Sequence, residues 1–366
     1  MTEPNSAFAG RTKIRAVEEH LRKMIASGAY PAGMKLPSDQ DLSRDFGVAY
    51  MTIRHAMEPL AREGLVVRRR GKGTFVADSP DPSPAVRTLA LVIPSISTMW
   101  NVADVYYLPG IVQAFCAEAT RLGYEPAVVG GATSLRAGQF TVGAGICAGV
   151  ALLLARESDF AAVDEIAATQ VPLVTIHTYR GRRTITMVQV KQAEGVAAVV
   201  AHLAGLGHQR IAYLGGPEHN LAAAARHDGF RAGMRHAGLP VRYHGAEAGE
   251  YTDGSGQIRA AKLLDGINRP TAIATASDLI AAGAIRAAQE RNFRVPEDLS
   301  VTGFGDFYIA QMLRPSLTTA RLPLAEMGGS AARALDRVIA GEPRGKLFTL
   351  ETQLTVRRST AAPPKG

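Results

Sequence analysis

The 366-residue sequence lacks the short motifs that mark the common enzyme classes. It has no HExxH zinc motif, no GxSxG nucleophile elbow, no Walker A phosphate loop and no CxxC pair. No GxGxxG sequence follows a predicted strand, which argues against a dinucleotide site. The nine histidines show no common metal-ligand spacing. We therefore expect no enzymatic activity, no cofactor and no metal site.

Cysteine is scarce, and long apolar runs are absent. The two thiols, Cys116 and Cys147, lie in apolar stretches, which is typical of buried thiols in a reducing compartment rather than of a disulfide framework. The longest apolar run, residues 149–155, is far shorter than the roughly 20 residues that span a bilayer. The first 30 residues show no signal-peptide pattern. We expect a cytoplasmic protein without a membrane partner.

Positive charge is concentrated near the N-terminus. Residues 1–77 contain 13 Lys and Arg against 8 Asp and Glu, whereas the rest of the chain contains 28 against 25. A local positive field of this kind suits a polyanionic partner such as nucleic acid.

A proline-rich stretch divides the sequence. Residues 77–85 have three prolines at alternate positions and no apolar periodicity. This pattern is incompatible with a helix or a central strand and is typical of a semi-rigid linker. We therefore predict an N-terminal domain over residues 1–77, a linker over 78–86 and a larger domain over 87–360.

Beyond the linker, continuous apolar runs alternate with alanine-rich helical patterns. This alternation indicates an α/β fold whose parallel sheet is covered on both faces. The predicted strands are residues 89–93, 149–155, 171–176, 210–214, 271–276 and 299–304.

The N-terminal domain has the pattern of three helices followed by a hairpin. Apolar residues at helical spacing predict a first helix over 14–25. Ser38 is placed to cap a second helix over 39–45, and Gly47 separates that helix from a third over about 50–63. A basic, Gly-containing tip between two short apolar strands then predicts a hairpin wing.

Five motifs occur together in this domain: LPSDQDL at 36–42, GV at 47–48, TIR at 52–54, EGLV at 63–66 and RGKGTFV at 70–76. They resemble the winged helix-turn-helix of GntR-type transcription regulators over nearly all of residues 11–77. The resemblance implies an α+β fold in which the third helix reads bases, the second helix assists and the wing tip enters the minor groove. The DNA-binding residues that it implies are Ser38, Gln40, Ala49, Tyr50, Met51, Thr52, Arg54, Gly71, Lys72 and Gly73.

Some of these positions depart from the family pattern. Gln40 and Tyr50 stand where arginine is common, and Ala49 and Met51 stand where hydroxyl residues are common. A bidentate arginine on guanine is the commonest specific contact in the major groove. We therefore do not expect the usual operator sequence, and Arg54 remains as the reader of bases or phosphates.

The larger domain contains a series of longer motifs, at residues 202–217, 226–230, 269–278, 295–304 and 313–319. They resemble the effector domain of LacI/GalR-type repressors, which is similar to periplasmic sugar-binding proteins. The resemblance runs from about Thr88 to Ser359. It implies two Rossmann-like α/β lobes, three crossings of the chain between them, a small ligand in the cleft, and dimerisation.

The same resemblance implies effector-binding residues. Arg226 and Asp278 match positions where the family places ligand-binding arginine and aspartate; an ion pair is the alternative for both. Trp100, the only tryptophan, falls in the loop after the first strand, where the family has an aromatic residue; an exposed or core position is its alternative. The loop over 101–109 is expected to be longer than usual. A polyol site needs such polar anchors and an aromatic platform.

Lys191 and Asp306 complete the expected effector site. Lys191 stands where the family usually has aspartate, and Gly305 replaces a frequent aspartate ahead of Asp306. A lysine in the cleft would favour an acidic or phosphorylated ligand, whereas a surface lysine is the alternative.

Together the two resemblances predict a ligand-responsive transcription regulator, a repressor that binds palindromic operator DNA as a homodimer and takes a sugar or sugar-derived effector. This combination of domains resembles AraR-like regulators. The alternatives are a sugar-binding transport protein without a DNA role and an enzyme on a Rossmann-like fold. Because the prolines of 78–86 exclude a hinge helix, we expect lobe closure to act on the DNA-binding heads through linker geometry.

Overall fold

The computed structural model describes most of the chain in two compact units, residues 1–85 and residues 86–366. The described residues are 13–26, 28–62, 65–69, 72–77, 88–93, 102–130, 141–142, 145–169, 171–181, 183–241 and 248–364. The predicted linker over 78–86, the predicted DNA contact Gly71 and the predicted platform Trp100 lie outside them.

The first unit is a three-helix head with a β-hairpin, as the sequence predicts. Its elements are α1 Lys13–Ala26, α2 Asp39–Asp45, α3 Tyr50–Arg62, β1 Val66–Arg69 and β2 Gly73–Val76. The hairpin is antiparallel, with Val66 opposite Val76 and Arg69 opposite Gly73. Ile53, Met57 and Leu60 recur at helical spacing and are buried in the same core as the α1 residues Val17 and Leu21.

The second unit contains two α/β lobes, and the first is built on a mostly parallel sheet of order β13-β8-β7-β6-β3-β4. Its elements are β3 Thr88–Ile93, α4 Val102–Arg121, β4 Glu125–Gly130, β5 Thr141–Val142, β6 Gly145–Leu153, α5 Phe160–Ala168, β7 Leu173–Ile176, β8 Thr186–Val190, α11 Leu324–Ile339 and β13 Leu347–Leu350. Leu89 and Leu91 pack on one face of the sheet and Ala90 and Val92 on the other, which explains why β3 reads as a continuous apolar run.

The second lobe has a five-stranded sheet of order β14-β12-β11-β10-β9. Strands β9 to β12 are parallel, and β14 is antiparallel to β12. The elements are α6 Gln192–Gly205, β9 Ile211–Leu214, α7 Leu221–His236, α8 Asp253–Asp265, β10 Ala272–Thr275, α9 Asp278–Glu290, β11 Ser300–Gly305, α10 Tyr308–Met312, β12 Thr318–Arg321 and β14 Gln353–Thr355.

The chain passes between the lobes three times, which confirms the predicted connectivity. The crossings lie between β8 and α6, between β12 and α11, and between β13 and β14. Helix α6 packs on α7 in the second lobe, whereas α11 packs on α4 in the first. Because the carboxyl ends of parallel strands meet at one edge of a sheet, each lobe can present the loops after its strands to a shared cleft.

Two details of the first lobe differ from the sequence-based expectation. The expected loop over 101–109 is wrong, because α4 begins at Val102 and continues through Pro109. The buried residues Leu108, Ile111 and Phe115 recur at helical spacing, so their burial outweighs the helix-breaking tendency of the proline. Strand β6 begins at Gly145 rather than Gly149. No helix among the described residues is long and apolar enough to cross a membrane.

Candidate functional site

A cavity of about 110 Å³ lies between the two lobes of the second unit. It is bordered by residues that follow the carboxyl ends of strands: Ala155 follows β6, His177 follows β7, Ser277 follows β10 and Phe307 follows β11. Its full described lining is Tyr107, Leu108, Leu153, Leu154, Ala155, His177, Asn220, Ala222, Arg226, Tyr251, Ser277 and Phe307. Carboxyl-end crevices are where open α/β sheets bind ligands.

Arg226 is the charged residue of the described lining. It lies on α7 with only 6% of its surface exposed. Its Nε donates to Gln192 Oε1 at 2.8 Å, and its Nη1 donates to the carbonyl of Ala276 at 2.6 Å. The guanidinium carbon lies 4.2 Å from the ring centre of Phe304 and 5.7 Å from that of Tyr251. These contacts fix the guanidinium plane at the cavity wall.

His177 faces Arg226 from the first lobe. It has a positive φ of 78°, and its Nε2 lies 2.7 Å from the hydroxyl of Tyr107 on α4. Burial, reinforced by the positive charge of Arg226, lowers the pKa of His177 to about 4. The imidazole is therefore neutral near pH 7, and it pairs with the Tyr107 hydroxyl as either donor or acceptor.

The second lobe adds polar groups around the cavity. Asn220 caps α7 by accepting the N–H of Ala223, and Ser277 caps α9 by accepting the N–H of Leu279. The hydroxyl of Tyr251 is buried and has no hydrogen-bond partner among the described residues. Burial also raises the pKa of Tyr251, so this hydroxyl keeps its proton and can donate to a ligand.

The lobes also touch at the rim of the cavity. The N–H of Leu221 donates to the carbonyl of Ala155 at 2.9 Å. The rings of Tyr106 and Phe307 are stacked, with their centres 6.0 Å apart. Each of these contacts joins a first-lobe residue to a second-lobe residue, so opening the cleft breaks both.

Asp278, an expected ligand-binding residue, lies beneath the cavity instead of lining it. Its side chain is completely buried; Oδ2 accepts the N–H of Phe307 at 2.7 Å, and Oδ1 accepts the hydroxyl of Thr319 at 2.6 Å. A Cβ on Gly303 would collide with the carboxylate, so glycine there makes room for it. Burial raises the pKa of Asp278 to about 6, against the opposing effect of the two hydrogen bonds. Asp278 thus positions Phe307 and the start of α9.

Lys191 and Asp306 are also engaged away from the described lining. Lys191 Nζ forms a 2.7 Å ion pair with Glu351, so two of the crossing segments are joined there. The side chain of Asp306 is 1% exposed and pairs with Arg321 at 2.7 Å and with Arg357 at 2.6 Å. Asp306 itself has a positive φ of 56°. Its ion pairs link the end of β11 to β12 and to the C-terminal segment.

The structure therefore brings only one of the described expected effector residues, Arg226, to the cavity wall. Asp278 acts through Phe307, and Lys191 and Asp306 make ion pairs elsewhere. Sequence reasoning did not identify Tyr107, His177, Tyr251 or Phe307. The rule that ligands meet residues just after the carboxyl ends of strands would have found His177, which directly follows a predicted strand.

The head presents a second polar surface, at the starts of α2 and α3 and along the hairpin. Ser38, Asp39, Gln40, Tyr50, Arg68, Arg69, Gly73 and Thr74 border one shallow hollow. Ser38 forms a capping box with Asp41, since the Ser38 hydroxyl accepts the N–H of Asp41 and the Asp41 carboxylate accepts the Ser38 N–H. The hydrogen bond from the Ser38 hydroxyl lowers the pKa of Asp41.

Helix α3 exposes one face beside this hollow. Tyr50, Met51 and Arg54 are exposed on it, and His55 extends the face although the sequence analysis did not include it. Lys72 is exposed beside the hairpin turn. Arg68 pairs with Asp39 at 3.3 Å, and Arg69 lies over the ring of Phe75 at 4.9 Å. The two hairpin arginines thus add positive charge to the surface that the expected DNA contacts share.

No group of three or more His, Cys, Asp or Glu side chains in the described part of the chain is arranged to hold a metal ion. Cys147 is buried, and its thiol lies 3.2 Å from the carbonyl of Thr88 and 2.9 Å from that of Gly149. Burial raises the pKa of Cys147 and of Cys116, so neither thiol is activated as a nucleophile.

Two protein families match separate parts of the chain. Residues 13–76 match the gntR family of bacterial regulatory proteins. Residues 200–360 match the periplasmic binding protein-like domain. The matches correspond to the head and to the later part of the two-lobed unit.

Curated relatives match the same regions. DegA of Bacillus subtilis, an HTH-type transcriptional regulator, is 35% identical over 55% of this chain and 59% of its own length. MalR of Streptomyces coelicolor, also an HTH-type transcriptional regulator, is 31% identical over 70% of this chain and 77% of its own. The arabinose metabolism transcriptional repressor of Halalkalibacterium halodurans is 24% identical over 96% of this chain and 97% of its own.

Solved structures show the same fold. A regulatory protein of the LacI family from Chloroflexus aggregans has a TM-score of 0.65 and 27% identity, over 74% of this chain and 98% of its own. The lac repressor dimer bound to operator and an anti-inducer has a TM-score of 0.65 and 25% identity, over 75% of this chain and 94% of its own.

The fold and the cleft define a winged helix-turn-helix protein with a periplasmic-binding-protein-like sensor domain. More particularly, the chain belongs to the family of bacterial HTH-type transcriptional regulators, with a GntR-type head in front of a LacI-type effector domain.

Proposed function

We propose that this protein is a repressor that binds palindromic operator DNA as a homodimer and responds to a carbohydrate-type effector in the interlobe cavity. The observation that carries the proposal is the cavity itself, walled by both lobes around Arg226, on a chain whose head matches a DNA-binding family. A repressor named for arabinose metabolism matches nearly the whole chain. The proposal makes the protein a regulator and not an enzyme, acting in the cytoplasm where the DNA lies.

The proposed domains follow the surfaces described above. Residues 1–77 form the DNA-binding domain, and residues 87–360 form the domain that binds the effector and dimerises. Residues 78–86 form the linker between these two domains. In the head, the exposed start of α3 enters the major groove, with Arg54 reading a base or phosphate and Tyr50 and Met51 in the positions nearest the helix N-terminus. The wing tip, with Lys72 and Gly73, enters the minor groove, where Lys72 contacts phosphates.

In the cavity, Arg226 is the polar anchor, and Tyr107 and Phe307 are the aromatic surfaces against which a sugar ring packs. Asp278 is assigned a positioning role through the N–H of Phe307. Trp100 remains a proposed additional platform. Lys191 is assigned to the crossings, where its ion pair with Glu351 joins two of the segments. Asp306 is assigned to the second lobe, where its ion pairs hold the end of β11 against Arg321 and Arg357.

An apolar face on the second lobe supports the dimer. Tyr308 and Met312 of α10 are 69% and 58% exposed. Met312 borders a groove with the apolar residues Leu279, Ile285, Ile309 and Leu313, and the groove also includes the polar residues Asp253, Arg286, Gln289 and Arg314. A second copy of the chain is the occupant that fits, because a two-fold operator requires two heads. The lac repressor, which shares this fold, was solved as a dimer on its operator.

Signal transfer follows from the geometry of the lobes. Closing the cleft forms contacts such as Leu221 to Ala155 and moves the first lobes of a dimer relative to one another. The linkers start from these lobes, so closure changes the spacing of the heads and their fit to two half-sites. The effector can shift this equilibrium only by its differential affinity for the two arrangements, typically about 1–3 kcal/mol.

The DNA proposal is tested by selection of random duplexes with the purified full-length protein, followed by binding titrations at fixed salt. We expect enrichment of an inverted repeat that the protein binds in preference to a scrambled duplex. Equal affinity for both duplexes at moderate salt would contradict sequence-specific binding.

The dimer proposal is tested by sedimentation of Met312→Asp beside Ile267→Asp. Ile267 is fully exposed elsewhere on the same lobe, so its variant controls for a new surface charge. We expect the wild type and the control to sediment at twice the 38.8-kDa chain mass and Met312→Asp to sediment as a monomer. A monomeric wild type at micromolar concentration would end the proposal.

A further inference from the structure

Among the described residues that line the interlobe cavity, one positive charge has no negative counterpart. The described lining contains the permanently charged guanidinium of Arg226 and no Asp or Glu side chain. No ion pair joins Arg226 to a carboxylate within the described part of the chain; its Nε and Nη1 bond the neutral oxygens of Gln192 and Ala276. Neutral acceptors satisfy hydrogen bonds but do not cancel a buried charge, which is costly to leave uncompensated.

Two buried carboxylates of the second lobe, those of Asp278 and Asp306, already have partners. Both oxygens of Asp278 accept hydrogen bonds, from Phe307 and Thr319. Both oxygens of Asp306 form ion pairs with arginines. Neither carboxylate can turn towards Arg226 without breaking these contacts.

Acidic residues do occur at the mouth of the cleft, but they are solvated. Glu157 and Glu218 are exposed and border a neighbouring hollow that shares Asn220 with the cavity. That hollow also contains Arg156, and charges in water are strongly screened. They do not neutralise a guanidinium that is 6% exposed.

Helix geometry adds to the positive potential. The N-cap residues of α7 and α9, Asn220 and Ser277, both line the cavity. The N-terminal end of a helix carries a partial positive charge and favours anions. His177, which faces the same space, is neutral near pH 7 and offers no negative charge. The buried Tyr251 hydroxyl is a further donor without a partner in the described part of the chain.

We propose that the effector carries an anionic group, a carboxylate or a phosphate, which forms an ion pair with Arg226. The proposal rests on the proposed effector function of this cavity and specifies the class of ligand. The rest of the ligand packs against Tyr107 and Phe307, with the Tyr251 hydroxyl as a further donor to it. The guanidinium charge, which no carboxylate of the described residues pairs, supplies the selectivity, because a neutral analogue leaves it uncompensated.

The main test uses matched ligands with the full-length protein. Calorimetric titrations compare glucose, glucuronate and glucose 6-phosphate, and the corresponding galactose, mannose and arabinose series, at constant ionic strength. We expect at least one anionic member to bind about ten- to hundredfold more tightly than its neutral parent. Preference for the uronate or for the phosphate identifies which anionic group is used. A neutral sugar that binds as tightly as its anionic partners overturns the proposal but leaves a carbohydrate effector intact.

Variants assign the preference to the guanidinium. Arg226→Gln should remove the discrimination between anion and neutral parent, whereas Arg226→Lys, which keeps the charge, should retain part of it. Arg231→Gln removes one charge from an exposed position of the same helix and should change nothing. Discrimination that persists unchanged in Arg226→Gln would overturn the assignment, and the Arg226→Lys result decides the question if the glutamine variant does not fold.

An experiment that needs no sugar separates the anion-site proposal from the carbohydrate proposal. Thermal unfolding is followed with increasing inorganic phosphate or acetate, with chloride adjusted to hold ionic strength constant. We expect a saturable rise in Tm for the wild type and for Arg231→Gln that is absent in Arg226→Gln. If simple anions stabilise the protein in this way but no sugar derivative binds, the anion site stands and the carbohydrate effector fails. If no anion of either kind has an Arg226-dependent effect, the anion site fails.

Discussion

The head and the effector domain place their functional residues in opposite ways. In the head, the residues expected to contact DNA come from one short stretch of chain, and most of those that the structure describes are exposed around α2, α3 and the hairpin. In the effector domain, the cavity lining comes from segments between Tyr107 and Phe307, and its charged group is almost completely buried. A large polyanion such as DNA is bound by an exposed surface of the protein, whereas a small ligand is bound by residues that enclose it.

The difference has an energetic consequence. Exposed residues of the head contribute little to folding, so they can change with little loss of stability. The cavity of the effector domain is supported by its core, because the buried residue Phe304, 1% exposed, packs under the guanidinium of the lining residue Arg226. Binding and folding are therefore separable in the head and coupled in the effector domain. Four predictions test that contrast.

The largest expected effect is on the stability of the effector domain. Phe304→Ala should lower its free energy of unfolding by about 3–5 kcal/mol, because a large side chain is removed from a close-packed site. It should also release the Arg226 guanidinium from its ring contact. Denaturant unfolding of the full-length protein measures the loss. A loss below about 1 kcal/mol would show that the surrounding side chains fill the space left by Phe304. Binding and folding would then be separable in the effector domain as well.

The next effect concerns pH. The pKa of His177 is about 4 in the folded protein and 6.5 as the ordinary value, so the folded state binds the proton less well. Stability from this group is complete above pH 6.5 and is lost as the pH falls towards 4, by about 3 kcal/mol. Asp278 acts in the opposite sense: its pKa rises from 3.8 to about 6, so its contribution is present below pH 3.8 and is lost as the pH rises through 6.

Because the two groups oppose one another, the wild-type stability should depend less on pH than that of a variant without His177. His177→Gln should make stability fall more steeply between pH 4 and 6.5 as the pH rises. The measurement is the difference between wild-type and variant unfolding free energies at successive pH values. A difference that does not change with pH would mean that His177 is accessible to water in the folded state.

A smaller effect is expected on DNA binding. Arg54→Ala should weaken binding to the selected operator by about 1–3 kcal/mol if Arg54 contacts a base. Its Tm should stay close to that of the wild type, because the residue is exposed. Lys72→Ala is the matched comparison: it should weaken binding to all duplexes alike and reduce the salt dependence of affinity. Equal losses on operator and scrambled DNA for Arg54→Ala would assign that residue to phosphates.

The smallest effect is on the capping box of α2. Ser38→Ala should destabilise the head by about 1 kcal/mol, because the N–H of Asp41 loses its acceptor. The pKa of Asp41 should rise towards its ordinary value, since the Ser38 hydroxyl no longer donates to it. Carboxyl NMR shifts across a pH titration measure the pKa. An unchanged Asp41 pKa would show that the hydroxyl bond is not formed in solution.

The features that could be predicted from the sequence are those that depend on nearby residues or on the apolar pattern. The capping role of Ser38 and the bounds of α2 were predicted because both depend on contacts a few residues apart. The strands β3, β7, β9, β10 and β11 were located because burial on both faces leaves continuous apolar runs. The start of α4 was missed because Pro109 resembles a loop signal, and only packing of the helix against the sheet overrides it.

The cavity was harder to predict. Arg226 was identified through family resemblance, but nothing local distinguishes its role from that of Asp278, which is equally polar and matches an equally typical position. Tertiary packing gives Asp278 two donors and buries it, and leaves Arg226 at the wall. The sequence allowed Lys191 to be either a cleft residue or a surface residue. In the structure it forms an ion pair with Glu351, which is far away in sequence.

By itself the sequence determined the two-part architecture, the helices and hairpin of the head, and the alternating α/β pattern of the effector domain, because these follow from local propensity and from the periodicity of apolar residues. Only the tertiary structure decided which polar side chains meet. The partners of Arg226, His177 and Asp278 come from other segments of the chain. The burial and the charge of the cavity lining depend on all of these neighbours at once, so they cannot be derived from any single segment of the sequence.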